Sequence, residues 1–575
     1  MNYTLIADYL TQNSYQVQLT DKSLHVVLKV GANEINLTHS LLPNEYLTGM
    51  PYFLIEQPRL LGEIAHVGIL SDKNGVEYGY FCVNTPDSVS VNFERPELVF
   101  KETLDRYKQR LEEVLLNKQF NREEQIREFQ ASWMNVVNNK KFPLLSISKD
   151  GAYEFIDIMK PVPNQKTGFG SYYLASSKNT EINSYIDFLN KYARASDRKI
   201  FKGFILPLSI LNPAPMSQTD LPAWYIECID KLSINDFTQF SHDKSSYKAS
   251  EFWVVFNAPT PSGITWFAVH LQSKQKKGLL PVTLRDIEKW EITAIPLVVL
   301  NKDLLLPRSG GNTSLCNKRV LIIGAGSVGG EIAEKLGKTG VGYLDIIDPD
   351  IFSMDNLYRH TLSISSLNQS KSQALAFELS IRNPWLQARS FGHYLLNIDL
   401  ADLKSVNYDL VVLAIGNPTH ERLFFKRLKD ANINIPILNT WVEGYGVGGH
   451  AVLSIPNQQG CLYCAYIDVP SRTHGLNSNL NFLQPNQDLT INHGGCGSAF
   501  LPYSGIAASQ TAIMASDLVI KFLLGEIKDS TKVSWKGSNS EALKKNLLLT
   551  DRYYRFEQSL QLLLLHNTYC DICDE

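Results

Sequence analysis

Cysteine is scarce in this sequence, at eight in 575 residues, and the eight are unevenly spaced. A disulfide framework in so long a chain would need a denser set, so the pattern points to reduced thiols in a cytoplasmic protein. Long apolar runs are missing too. None approaches the roughly 18 residues that a membrane-spanning helix needs, so no membrane partner is expected. The opening MNYTLIADYLTQ has no basic stretch followed by an apolar core, which argues against a secretory signal. Charge of one sign is not in excess: 55 Lys and Arg face 58 Asp and Glu, for a net −3. A nucleic-acid-binding chain would show a basic stripe, so no nucleic acid is expected. Repeats and low-complexity tracts are absent as well. The remaining class is ordinary globular protein, long enough for two to four domains.

Three blocks can be separated. Residues 1–140 hold alternating segments (SLHVVLKV, YFLIEQP, YGYFCV) that predict strands. A helical pattern follows over Leu98–Leu116, and a second around REEQIREFQASWMNVV. Strands first and helices later predict an α+β domain. Residues 141–307 form a middle α+β linker domain, with strand-like runs such as EFWVVFNA and TWFAVHLQ and no motif tied to chemistry. Residues 308–575 open on the polar, glycine-rich RSGGNTSLCNK. From Arg319 onward, apolar strands alternate with helices, which predicts a doubly wound, Rossmann-like α/β domain. Residues 471–495, rich in Asn, Gly and Ser, interrupt the alternation as a long loop.

Gly324, Gly326 and Gly329 form GxGxxG directly after the strand VLII. The first glycine permits a tight turn, the second lets a phosphate approach backbone N–H groups, and the third packs helix on strand. Asp348 ends the next strand, 19 residues after Gly329, where a carboxylate can accept from ribose hydroxyls. A nicotinamide dehydrogenase would share this much. Asn356, Arg359 and Lys371 separate the two readings. An arginine fork and a lysine point charge suit a triphosphate, and fixed cations favour the charge that builds on an α-phosphate as pyrophosphate leaves. The alternative is a solvated helix start with ordinary surface charges.

Taken together, GAGSVGG, D-x-D-x-F-x-x-x-NLYRH and the downstream lysine resemble the adenylation domain shared by ubiquitin-activating enzymes and the ThiF/MoeB sulfur-carrier adenylyltransferases. The resemblance covers Arg319–Glu575. It implies ATP and magnesium as cofactors, binding roles for Gly324, Gly326, Gly329, Asp348, Asn356, Arg359 and Lys371, and a part for Arg359 in catalysis. One departure stands out. The family has a magnesium-binding Asp followed by Asn after the fourth strand, whereas this chain has Gly416 before Asn417. Asp350 and Glu443 are the substitute carboxylates considered.

Cys461 and Cys464 in GCLYCAY, and Cys570 and Cys573 in YCDICDE, make two CxxC pairs. Four thiolates are the set for a tetrahedral structural zinc. The alternative is four buried cysteines or a redox pair at Cys461. Cys496 sits in NHGGCGSAFLPYSG ahead of a helical run, where glycines and a helix N-terminus favour a thiolate nucleophile able to take an acyl group from an adenylate. Cys82 lies in a segment running from His66-Val67 through a hairpin to G-Y-x-C. With the later helix EFQASW, it resembles the catalytic segment of ubiquitin-conjugating enzymes. A core cysteine is the alternative there, and the oxyanion asparagine of the classical enzymes is replaced by His66-Val67-Gly68. Cys228 and Cys316 read as structural.

The order of conjugating-like domain, middle domain and ThiF-like domain resembles the ubiquitin-activating/ubiquitin-conjugating fusion enzymes of bacterial CBASS anti-phage operons. That resemblance implies a cGAS-like nucleotidyltransferase (CD-NTase) as the partner whose C-terminus is activated. It also implies thioester relay through Cys496 and Cys82, a target protein amine as acceptor, and a homodimer. The alternatives are an adenylyltransferase for another ubiquitin-like or sulfur-carrier protein, and a non-catalytic scaffold that binds nucleotide.

Overall fold

The computed structural model describes residues 1–43, 46–71, 75–83, 90–139, 141–148, 150–159, 172–178, 200–468, 471–492 and 499–557. These residues divide into two compact units, with the break at Asn301–Lys302.

The first unit carries two sheets. One is antiparallel throughout: β1 (Gln16–Leu19), β2 (Ser23–Val30), β3 (Asn33–Ser40), β4 (Leu54–Glu56), β5 (Val67–Ser71) and β6 (Glu77–Phe81), in the order β1-β2-β3-β4-β6-β5. Strand β2 alternates buried side chains with partly or fully exposed ones, as a half-buried strand must. Helix α1 (Tyr3–Gln12) and helix α2 (Pro96–Leu116) share this core. α2 buries Phe100, Leu104, Tyr107 and Leu111 at helical spacing. The Tyr107 hydroxyl accepts from the Phe53 amide at 3.1 Å and donates to the Phe81 carbonyl at 3.1 Å, so the buried phenol is satisfied.

The second sheet has eight strands: β7 (Leu144–Ser146), β8 (Glu154–Met159), β9 (Tyr173–Ser176), β10 (Ile200–Pro207), β11 (Glu251–Thr260), β12 (Gly263–Ser273), β13 (Trp290–Ile295) and β14 (Leu297–Val299). Their order is β13-β12-β11-β10-β8-β9-β7-β14. The helical period over residues 122–137 predicts one helix, but the chain forms two: α3 (Lys118–Arg127) and α4 (Phe129–Val136), meeting at Glu128. The break follows from packing. Phe129 and Trp133 of α4 are buried with Trp224 and Phe267 in the core of the second sheet, whereas α3 buries no residue fully.

The second unit is a doubly wound α/β domain. Its strands are β15 (Arg319–Ile323), β16 (Tyr343–Ile347), β17 (Gln387–Phe391), β18 (Leu410–Leu413), β19 (Ile437–Val442), β20 (Gly448–Ser454) and β21 (Thr531–Lys536). The order is β17-β16-β15-β18-β19-β20-β21; the first five pair in parallel, and β20 pairs antiparallel with both β19 and β21. The central strands are apolar throughout because helices cover both faces. Of the described helices, Gly505–Leu523 is long and apolar enough to cross a bilayer by length and composition, yet half of that stretch is buried inside this domain.

Phe129→Ala is expected to cost about 3–5 kcal/mol, since the ring is fully enclosed by aromatic neighbours. Thermal or urea unfolding of the variant checks this value, and a loss below about 1 kcal/mol would contradict the packing described.

Candidate nucleotide site

The chain reverses strand order between β15 and β18, and the carboxyl ends of strands at such a switch point form a crevice. A cavity of about 450 Å³ lies there. Gly326, Asn356, Arg359 and Lys371 line it on one side, and Gly416, Glu421, Trp441, Glu443 and Tyr466 on the other.

Each glycine of the turn has a distinct steric reason. Gly324 adopts φ +98°, and a Cβ there would lie 2.6 Å from the Ala414 carbonyl oxygen. A Cβ on Gly329 would lie 1.8 Å from the Gly324 carbonyl oxygen, so helix α7 (Ser327–Thr339) can approach its strand only through glycine. Gly326, the N-cap of α7, has nothing within 4 Å of a would-be Cβ and leaves its backbone open to the cavity.

Asp348 sits directly beneath the glycine turn. Its Oδ2 accepts the Ala325 amide at 2.6 Å and its Oδ1 accepts the Asp350 amide at 2.8 Å. The carboxylate thereby braces the glycine turn. Burial raises its pKa, and the two amides and Lys371 oppose that rise. His360 secures the turn from the other side. Its Nε2 donates to the Ala325 carbonyl at 2.5 Å, and its Nδ1 accepts the Leu362 amide at 3.1 Å. One donor and one acceptor make a neutral ring. Burial lowers its pKa, in keeping with that state.

Arg359 stacks over the Tyr503 ring at 5.3 Å, and the Tyr503 hydroxyl shares a 2.8 Å hydrogen bond with Ser327. Asn356 Oδ1 accepts from the Ser353 amide at 3.3 Å. Lys371 opens helix α8 (Lys371–Arg382) and pairs with Asp350 at 2.9 Å. The arrangement offers two cations, an amide and a glycine turn to one anionic ligand. Local sequence reasoning missed His360 and Tyr503, since Tyr503 meets the turn from 176 residues away.

Glu443 and Asp350, the two carboxylates weighed for magnesium, stand in different surroundings. Glu443 accepts from the Phe482 amide at 2.6 Å, the Leu483 amide at 2.9 Å and His450 at 2.8 Å, so it is engaged on every side. Asp350 pairs with Lys371 and is otherwise exposed, so it has oxygens to offer. Magnesium asks the protein for only one or two carboxylates beside nucleotide phosphates, and Asp350 fits that demand.

Cys82 is exposed just beyond β6, and its amide donates to the His66 carbonyl at 3.0 Å. His66 holds φ +66° with its ring against Glu124 at 3.2 Å. Cys461 and Cys464 have their sulfurs 4.0 Å apart. Cys496, Cys570 and Cys573 lie outside the described residues. Among the described residues, no group of three or more His, Cys, Asp and Glu gathers to hold a metal. Cys228 is buried, which pushes its thiol well above the ordinary value and leaves it inert.

Residues 301–571 match the model of the ThiF family. The C-terminal region is a ThiF domain. The chain is similar to "ATP-dependent ubiquitin transferase-like protein Cap2" of Escherichia coli, at 25% identity over 229 residues, covering 38% of this chain and 37% of that protein. The protein of the same name from Pseudomonas aeruginosa is 22% identical over 321 residues, covering 55% of this chain and 56% of that protein. "Adenylyltransferase and sulfurtransferase UBA4" of Eremothecium gossypii is 26% identical over 212 residues, covering 35% of this chain and 44% of that protein. The matches thus span about a third to just over half of these relatives' own length.

Two outcomes follow for the ThiF domain. Gly326→Ala should fold normally but bind ATP at least about tenfold more weakly, while Gly329→Ala should lose thermal stability outright. Calorimetric titration with ATP beside thermal melts checks both, and a Gly329→Ala protein as stable as wild type would contradict the close approach.

Acidity should destabilise the same turn. Folded His360 binds its proton less readily than the unfolded ring, whose pKa is near 6.5. Unfolded chains therefore take up the proton first, and stability is lost as pH falls through about 6.5 and below. Melting temperatures at pH 7.5 and 5.5 check the sign, with a smaller loss in His360→Asn.

Proposed function

We propose that this protein is an ATP-dependent enzyme that adenylates the C-terminal carboxylate of a protein partner and passes it on as a thioester. The observation carrying the reading is the switch-point cavity, where an open glycine turn faces Arg359 and Lys371. In the first step the partner's carboxylate oxygen attacks the α-phosphorus of ATP. The bond to the β-phosphate breaks, leaving acyl-adenylate and pyrophosphate. Arg359 and Lys371 offset the charge on the phosphates, and the α7 N-terminus adds its amides. Magnesium travels with the ATP; Asp350 would hold it, and it would neutralise phosphate charge.

In the second step the Cys496 thiolate attacks the acyl carbon and AMP leaves, giving a thioester. Transfer to Cys82 exchanges one thioester for another, and attack by a target amine gives an amide and frees the thiol. Exposure of Cys82 supports this role, because a transfer cysteine must meet a second protein. Its antiparallel sheet backed by α1 and α2 supports a ubiquitin-conjugating-like reading of residues 1–140, ahead of a middle domain over 141–307 and the adenylating domain over 308–575. Housing both cysteines in one chain raises their effective concentration.

The similarity to Cap2 supports a role in CBASS anti-phage defence in the cytoplasm, with a cGAS-like nucleotidyltransferase as the activated partner. The similarity to UBA4 favours the second reading, an adenylyltransferase for a ubiquitin-like or sulfur-carrier protein. A homodimer would cover Ile506 and Ile513, which stand exposed two turns apart on one helix. Cys461 and Cys464, with Cys570 and Cys573, would complete a structural zinc site holding the C-terminal tail.

Intact mass under non-reducing conditions tests the relay. With ATP, magnesium and a cGAS-like partner, a thiol-labile adduct should form, should vanish in Cys496→Ala and should accumulate in Cys82→Ala. An adduct indifferent to both substitutions would sink the relay and leave the simpler adenylyltransferase.

A further inference from the structure

One stretch of the cavity wall has no part in the chemistry above. Residues 476–489 form an irregular segment that lines the cavity through Leu476, Asn481, Leu483 and Leu489, with two polar neighbours. Irregular as it is, its main chain is tied from several sides. Glu443 takes the Phe482 and Leu483 amides at 2.6 and 2.9 Å. Thr550 donates its amide to the Phe482 carbonyl at 2.7 Å and its hydroxyl to the Asn481 carbonyl at 3.0 Å. Arg552 donates to the Leu480 carbonyl, and its guanidinium lies over the rings of Phe482 and Phe556 at 4.7 and 5.1 Å. These ties come from residues 39 to 72 positions away. A loop held so firmly presents its side chains in place before a ligand arrives.

Asn481 is the side chain whose orientation this fixes. Its Oδ1 accepts from the Trp441 indole at 3.0 Å. An indole N–H can only donate, so the atom facing it must be the amide oxygen, and the amide nitrogen is turned away from Trp441. That nitrogen meets no acceptor among the described residues, and it is not among the polar atoms sealed from solvent. Its two N–H donors are therefore left for a ligand.

The chemistry of the segment decides between the two ligands of the cavity. Residues 476–489 contain no Lys or Arg. The phosphates of ATP are served by Arg359, Lys371 and the glycine turn across the cavity. Leu476 is 89% exposed, so the same segment reaches the open mouth. A protein tail has to enter from solvent through that mouth. Amide donors set beside Leu483 and Leu489 suit a peptide, which carries a carbonyl oxygen at every residue and an apolar side chain wherever its sequence supplies one.

We propose that Asn481 is a substrate-binding residue for the partner's tail: its side-chain amide donates to a carbonyl or carboxylate oxygen near the tail's end, while Leu483 and Leu489 receive an apolar side chain of the tail. This inference rests on the adenylation reading of the cavity.

Pyrophosphate-exchange kinetics test it, with magnesium, ATP and a synthetic peptide that copies the C-terminal tail of a cGAS-like partner, on full-length wild type, Asn481→Asp and Asn481→Ala. Aspartate keeps the shape and the oxygen that Trp441 bonds, but turns an oxygen anion where the donors were. In Asn481→Asp the KM for the peptide should rise at least about tenfold, with the KM for ATP within about twofold and the melting temperature unchanged. Asn481→Ala should show a smaller rise, since it removes the donors without adding a repelled charge. An unchanged peptide KM in whichever variant folds would overturn the proposal. So would an alanine variant worse than the aspartate one, which would mark lost packing, or a KM for ATP that rises as far as that for the peptide, which would assign Asn481 to the nucleotide. Wild type that exchanges no pyrophosphate would defeat the adenylation reading, and this inference with it, whereas exchange in wild type with the peptide KM unmoved by substitution defeats this inference alone.

Discussion

The ThiF domain depends on one close approach, that of Gly329 to the Gly324 carbonyl. A side chain at Gly329 would force helix and strand apart, because its Cβ would sit 1.8 Å from that oxygen. With the helix seated, its N-terminus opens on the switch point with Gly326 unobstructed. Asp348 and His360 then grip Ala325 from opposite sides, one taking its amide and the other its carbonyl. The turn is thus fixed by sterics first and by hydrogen bonds second. Preorganised amides of this kind need no rearrangement when charge develops on a ligand.

Around that turn, nearly every polar group of the cavity is already committed. Arg359 rests on Tyr503, Lys371 on Asp350, and Glu443 on His450 and two amides. These contacts hold side chains in place at little cost in ordering when a ligand arrives. They also explain why the missing carboxylate at Gly416 does not empty the site.

Much of this was legible locally. Gly324, Gly326, Gly329, Asn356, Arg359 and Lys371 occur within 48 residues, and their spacing follows from one strand-turn-helix unit and the strand after it. The α/β alternation was legible for the same reason, since buried parallel strands read as unbroken apolar runs. What stayed hidden was set by distance or by competing cores. Tyr503 reaches the site from far along the chain. Residues 122–137 keep a helical period across Glu128, and only the pull of Phe129 and Trp133 into a different core breaks the helix. Cys82 follows an alternating strand that ends one residue earlier, which turns an apparent core position into an exposed one.

The central claim is that the ThiF domain activates a carboxylate at the expense of ATP. ATP–pyrophosphate exchange, measured with magnesium and a peptide matching a partner's C-terminal tail, tests it most directly. The account predicts exchange that requires the free tail carboxylate and is lost when the tail is amidated. Exchange that ignores the tail, or nucleotide binding with no exchange at all, would contradict it.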